Sequence, residues 1–247
     1  MGSDPENLIF TPVLETPNTL PEKLDFQGQT PLFGVSSLTG GTMEVFPGAF
    51  HLPGYLTLEE QIALARRCGT IGGEPAGFYT PTVRYGARMR LQMVCLGLHW
   101  NARTYKYEKV RSDYDGLPVQ PLPDDLKALA RRVAAETGME VSPDLCILNS
   151  YTEEGRLGLH QDKDERAETI AAGYPVVSIS VGDSAKFRMG GTRRKDPLRT
   201  FILRSGDAFV FGGPSRLRYH GVSGILPGTA PPQLEIQGRF NLTFRQY

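Results

Sequence analysis

Two stretches of the chain place apolar residues at helical spacing. Over 58–68, Leu58, Ile62 and Ala65 share one face, and Thr57 with Glu60 forms the T-x-x-E box that caps a helix start. Over 124–137, Leu126, Leu129, Ala130 and Val133 follow i, i+3, i+4, i+7. Asp124 and Asp125 suit the positive end of that helix, and Gly138 is its natural stop. After Gly138 the pattern changes to short apolar runs. Strands are predicted at 145–151, 157–162, 175–182, 185–190, 199–204, 207–211, 218–222 and 234–246. Gly-Gly turns at 190–191 and 212–213 punctuate them, which indicates a β-sandwich or barrel. Residues 1–44 lack apolar runs, contain Pro5, Pro12, Pro17, Pro21 and Pro31, and carry a charge balance of −5. The expected organisation is an acidic Pro-containing extension (1–44), a helix-bearing middle (45–120) and a β core (121–247), mainly β with flanking helices.

Composition sharpens this outline. The 247 residues include 28 Gly and 19 Pro, a turn-rich mixture that argues against a helical bundle. Basic and acidic residues number 27 each, which excludes a nucleic-acid reader built on a global basic excess. By segment the charges separate. Residues 84–111 hold Arg84, Arg88, Arg90, Arg103, Lys106, Lys109 and Arg111 against Glu108, a balance of +6, with Tyr85, Trp100, Tyr105 and Tyr107 interleaved. Cations track phosphates and aromatic faces stack bases, so the segment fits a single-strand-binding surface. The alternative is a solvated charged face whose aromatics turn to the core. A second basic run lies at 186–204. Cys68, Cys95 and Cys146 are odd in number and form no C-x-x-C, which fits a reducing, cytoplasmic setting. No signal-like start is visible, and no apolar run approaches the roughly 18 residues of a membrane span.

The histidines carry the candidate chemistry. His160 and Asp162 are separated by one residue, so on a strand both side chains point to the same face. His220, at the start of another predicted strand, is the best third ligand. Two histidines and one carboxylate leave coordination positions open and suit non-haem Fe(II). Taken alone, H-x-D is a common tripeptide and His220 fits a core histidine equally well; His99 has no such carboxylate and reads as structural. The last strand puts Arg239, Asn241, Thr243 and Arg245 on one face and Phe240, Leu242 and Phe244 on the other. That polar face is either solvated or turned into a cavity, where two guanidiniums suit a dicarboxylate such as 2-oxoglutarate.

Five segments in order, LNSY-x8-HQDKDE, PVVSISVG, GG-x-x-R-x-DP, SGDAFVFGG-x-SRL-x-YHG and RFNLTFRQ, resemble the AlkB family of Fe(II)/2-oxoglutarate-dependent dioxygenases that repair alkylated bases. The resemblance is strong over 145–247, weaker through the middle, and leaves the extension uncovered. It implies a double-stranded β-helix (jelly-roll) core carrying a nucleotide-recognition lid. It implies that His160, Asp162 and His220 ligate iron, that Asn149 and Tyr151 contact 2-oxoglutarate, and that Arg239 pairs with its distal carboxylate beside Asn241 and Arg245. Trp100 resembles the lid's base-stacking residue, and Tyr105 and Tyr107 its phosphate- and base-contacting pair. Asp164 would recognise an exocyclic amine. Arg194 matches a DNA-contacting position for which neighbouring Arg193 competes. The implied reaction uses Fe(II), O₂ and 2-oxoglutarate to demethylate 1-methyladenine and 3-methylcytosine, releasing formaldehyde and succinate. The implied partner is single- or double-stranded alkylated DNA, with RNA as a further substrate, and the implied state is a monomer. Two alternatives remain: a member of the same family acting mainly on RNA or another methylated substrate, and a jelly-roll binding module whose histidines are structural. One departure is the segment 166–174, longer than in the bacterial form and expected as a loop near the mouth of the site.

Overall fold

The computed structural model describes residues 41–247, so the extension expected over 1–44 lies almost wholly outside the described residues. In chain order the strands are β1 (Met43–Phe46), β2 (Ala49–Leu52), β3 (Gln92–Leu96), β4 (His99–Asn101), β5 (Lys106–Glu108), β6 (Leu145–Tyr151), β7 (Leu157–His160), β8 (Val176–Gly182), β9 (Ser184–Met189), β10 (Arg199–Leu203), β11 (Ala208–Phe211), β12 (His220–Leu226) and β13 (Arg239–Arg245). The helices are α1 (Leu58–Gly73), α2 (Asp124–Ala135) and α3 (Ala167–Ala171). Both predicted long helices are present, and each predicted strand has its counterpart. α1 runs five residues beyond the predicted end, to Gly73, and the last strand begins at Arg239 rather than 234. The capping box at the start of α1 is complete, with Thr57 Oγ1 accepting from the Glu60 amide and Glu60 Oε2 accepting from the Thr57 amide.

A seven-stranded sheet in the order β1-β2-β11-β8-β13-β6-β3 faces a four-stranded sheet in the order β10-β9-β12-β7; β4 and β5 form a separate two-stranded hairpin. The pairings are antiparallel throughout. This is the expected jelly roll. The large sheet draws β1, β2 and β3 from the 45–120 region, so the layers cut across the division expected at residue 120. The segment 166–174 is not a loop: it carries the short helix α3. The Gly173 carbonyl accepts from the Gly213 amide and the Tyr174 carbonyl from Arg216 Nε.

Period-two alternation sorts side chains into two cores. One face of the large sheet packs Cys146, Leu148, Val177, Ile179, Leu242 and Phe244 against Leu64, Leu126 and Leu129 of the two long helices. The other meets the small sheet through Ile147, Tyr151, Phe187, Met189, Phe209 and Phe211. Each large apolar side chain removed from water contributes about 1.5–3 kcal/mol. With Phe240, Leu242 and Phe244 turned to the helices, the polar face of β13 is forced between the sheets. Of the two sequence readings of that strand, the inward one is observed. Gly238, at positive φ (+82°), immediately precedes β13; a Cβ there would meet the Tyr151 carbonyl oxygen.

Candidate active site

His160 ends β7 and His220 begins β12, and the two are directly paired in the antiparallel register. Asp162 lies two residues beyond His160. Ligand atoms of the three side chains lie within 4.8 Å of one another, with Asp162 Oδ1 3.6 Å from His160 Nε2 and Oδ2 3.5 Å from His220 Nε2. Each imidazole is oriented by backbone: His160 Nδ1 is 2.9 Å from the Gly158 carbonyl, and His220 Nδ1 is 3.0 Å from the Arg218 carbonyl. A carbonyl only accepts, so Nδ1 carries the proton and Nε2 presents a lone pair to the shared space. Burial, aided by His220, lowers the His160 pKa to about 4, which keeps it in the ligand form. Burial opposes the charge of Asp162, but Arg245 and the two histidines outweigh it and hold the carboxyl well below its usual range. Asp162 Oδ2 is buried with no hydrogen-bond partner.

These groups line a cavity of about 780 Å³ between the sheets. At its inner end the β13 register sets Arg239 opposite Tyr151 and Asn241 opposite Asn149. Arg239 is 2 % exposed, yet no carboxylate among the described residues pairs with it. Its donors go to Ser180 Oγ at 2.6 Å and to the carbonyls of Asp183 and Leu203 at 3.0 and 3.1 Å. Burial lowers its pKa to about 10, so it stays cationic at neutral pH. Asn241 donates to Ser178 Oγ and the Ile179 carbonyl and accepts from Thr243. A buried guanidinium with no carboxylate in salt-bridge contact, beside amide and hydroxyl groups, is suited to receive an anion.

At the mouth, Trp100 on β4 and Tyr105 have ring centroids 5.9 Å apart. Trp100 Nε1 donates to Asp164 Oδ2 at 2.8 Å. Arg194 lies on the cavity wall, while Arg193 is paired with Asp196, which separates the two competing arginines. The structure gives Tyr107 a different setting from its neighbours. It does not line the cavity; its hydroxyl is shared between Glu165, at 3.0 Å, and Arg245, at 2.6 Å. His99 is fully buried on Asp113 at 2.6 Å, in keeping with its structural reading. Sequence reasoning passed over Glu165 and Arg216, although both lie inside quoted segments (HQDKDE and SRLRYHG). Glu165 receives Arg245 Nη1 at 2.8 Å and Arg216 Nη2 at 3.0 Å, and its side chain is fully buried. Its signal was an acidic residue beyond those a metal and a base require.

Residues 48–245 match the model of the 2OG-Fe(II) oxygenase superfamily. The chain belongs to that superfamily. Its place within the oxygenases is the AlkB family: an alpha-ketoglutarate-dependent dioxygenase AlkB homolog from Caulobacter vibrioides is 41 % identical over 207 residues, covering 83 % of this chain and 90 % of the relative. The DNA N(6)-methyladenine demethylase ALKBH1D of Arabidopsis thaliana is 40 % identical over 222 residues, 81 % of this chain. The chain spans about half (50 %) of that relative's length. The solved structure of OsALKBH1 superposes with a TM-score of 0.78 at 37 % identity, covering 83 % of this chain and all (100 %) of that one. Oxygenases of this superfamily require Fe(II), 2-oxoglutarate and O₂. The residues present fit those groups. Asp162 Oδ2 is a buried acceptor without a hydrogen-bond partner beside the His160 and His220 rings, and Arg239 is a buried cation with no carboxylate in salt-bridge contact among the described residues. Cys68, Cys95 and Cys146 are buried and unpaired, and no described helix is long and apolar enough to cross a membrane.

Proposed function

We propose that the chain demethylates N-alkylated bases in DNA, single strands above all, with His160, Asp162 and His220 holding Fe(II). In this reading Asn149, Tyr151, Arg239, Asn241 and Arg245 form the 2-oxoglutarate pocket. Trp100, Tyr105, Asp164 and Arg194 receive the nucleotide, with Tyr107 behind them. Fe(II) in that site would supply O₂ activation coupled to oxidation of 2-oxoglutarate to succinate. The chain's own groups bind and orient. The two imidazoles offer Nε2 in fixed tautomers. Arg239 anchors a carboxylate at the inner end of the cavity. Trp100 offers a stacking face and Asp164 an acceptor for an exocyclic amine. A damaged base must leave its stack to reach this depth, and alkylation of its pairing edge lowers that cost.

The observation that carries the reading is the single cavity joining the metal triad, the unpaired Arg239 and the Trp100–Asp164 pair. The test supplies Fe(II), 2-oxoglutarate and O₂ with single-stranded DNA bearing 1-methyladenine, 3-methylcytosine or N6-methyladenine, and with methylated RNA in parallel. N6-methyladenine is included because ALKBH1D is named for it. Formaldehyde release from DNA, abolished by His160→Ala, is the expected result. Release from RNA alone would favour the RNA reading. No release from any oligonucleotide, while 2-oxoglutarate is still consumed, would move the substrate outside nucleic acids.

A further inference from the structure

We propose that Glu165 is a positioning residue that ties the β4–β5 hairpin to the metal ligand Asp162. The inference rests on the metal assignment above and concerns how that site is held.

The hairpin is joined to the core by a matched pair of hydrogen bonds. Trp100 and Tyr107 face each other across the β4–β5 register. Trp100 bonds to Asp164 and Tyr107 to Glu165, so one cross-strand pair docks on two successive carboxylates of the segment that carries Asp162. Glu165 is the deeper of the two. Its Oε1 accepts from Tyr107 Oη and Arg245 Nη1, and its Oε2 accepts from Arg216 Nη2. Those donors come from the hairpin, the last strand of the large sheet and the turn before β12.

Both guanidiniums reach onward to Asp162. Arg245 Nη1 is 3.4 Å from Asp162 Oδ1, and Arg216 Nη1 donates to the Asp162 backbone carbonyl. The charges close: two guanidiniums are balanced by the Glu165 and Asp162 carboxylates. If Glu165 is made neutral, the two cations face Asp162 alone. Arg245 then draws more strongly on the Asp162 carboxylate, whose Oδ1 lies 3.4 Å from its Nη1, which lowers the charge that carboxylate offers a metal, and the Tyr107 hydroxyl loses its anionic acceptor. One substitution should therefore loosen both the metal site and the hairpin. Partners one shell beyond the ligands typically change metal affinity by about 10–100-fold.

The test uses Mn(II), a redox-silent probe, on the full chain without 2-oxoglutarate or nucleic acid. In the wild type, Mn(II) binding should slow amide exchange over residues 99–108, because coupling between two sites is reciprocal. Glu165→Gln should weaken Mn(II) binding by about tenfold, the low end of that range, and make exchange over 99–108 fast and indifferent to Mn(II). If Glu165→Gln does not fold, Tyr107→Phe decides. It keeps every Glu165–guanidinium contact and cuts the hairpin link, so exchange over 99–108 should stop responding to Mn(II) while affinity stays closer to wild type. A purely structural role would lower the melting temperature of either variant and leave the metal response intact; that result overturns the proposal. So does wild-type exchange over 99–108 that ignores bound Mn(II). A wild type that binds no Mn(II) overturns the metal assignment itself.

Discussion

Arg239 shows what a single residue's surroundings add to its identity. The alternation of β13 placed it on a polar face, and the sequence left two destinations for that face. Burial without a carboxylate decides between them, because a solitary buried guanidinium is costly unless a ligand completes it. Lysine keeps the charge but loses the planar fork that grips a carboxylate twice. Arg239→Lys should therefore raise the 2-oxoglutarate dissociation constant about 10–100-fold, the worth of one lost charge-assisted hydrogen bond; calorimetric titration in the presence of Mn(II) would check this. His160 gives a prediction in pH. Its folded-state pKa of about 4 lies below the ordinary 6.5, so the unfolded chain takes up this proton first as pH falls. Stability of the metal-free protein should then decline as pH drops from about 6.5 towards 4. Urea midpoints measured across that window should fall less steeply for His160→Gln; an unchanged slope would assign the effect to other groups. Tyr107 marks the limit of sequence reading at this scale. A tyrosine in a basic, aromatic segment reads as a nucleic-acid contact, and nothing local announces that its hydroxyl bonds to a glutamate 58 residues away.

Among the elements, those with a clear period were legible and those without were not. α2 and β6 carry strong patterns, and β6 matches its predicted bounds at both ends. Strands β1 to β5 went unread. β3 (QMVCL) is buried at four of its five positions, packed on both faces, so no alternation survives. β4 and β5 have only three residues each. The segment 166–174 misled in the opposite sense: small and polar residues suggested a loop, yet α3 is fastened through Gly173 and Tyr174. The α1 cap offers a direct test of element-level reasoning. Thr57→Ala removes the hydroxyl that accepts from the Glu60 amide and leaves only the backbone N–H bond to the Glu60 carboxylate, and equilibrium denaturation should show a loss of about 1 kcal/mol. Because α1 packs on the face of the sheet opposite the cavity, 2-oxoglutarate affinity should not change.

For the whole molecule, the neutral total of charge is a sum of opposed regions. Arg194 stands exposed on the cavity wall, and Lys186 and Arg188 project from the outer face of the small sheet. Binding of a single-stranded oligonucleotide should weaken with salt, with a slope in log–log form of about −0.7 per phosphate neutralised. Fluorescence anisotropy at several salt concentrations should give a slope shallower by about 0.7 for Arg194→Ala; an unchanged slope would place Arg194 off the strand's path. The strands that carry the candidate site residues, β6, β7, β12 and β13, were readable because their segments are short apolar or alternating runs bounded by turns. The network behind them was not, because it joins the middle of the chain to its end. The indole that bonds Asp164 has one more consequence. Trp100 is the sole tryptophan among 247 residues, so emission excited at wavelengths that tyrosine does not absorb arises from the mouth of the cavity alone. The molecule carries its own optical probe there, and a base sliding over that ring should announce itself as a loss of light, with no label attached.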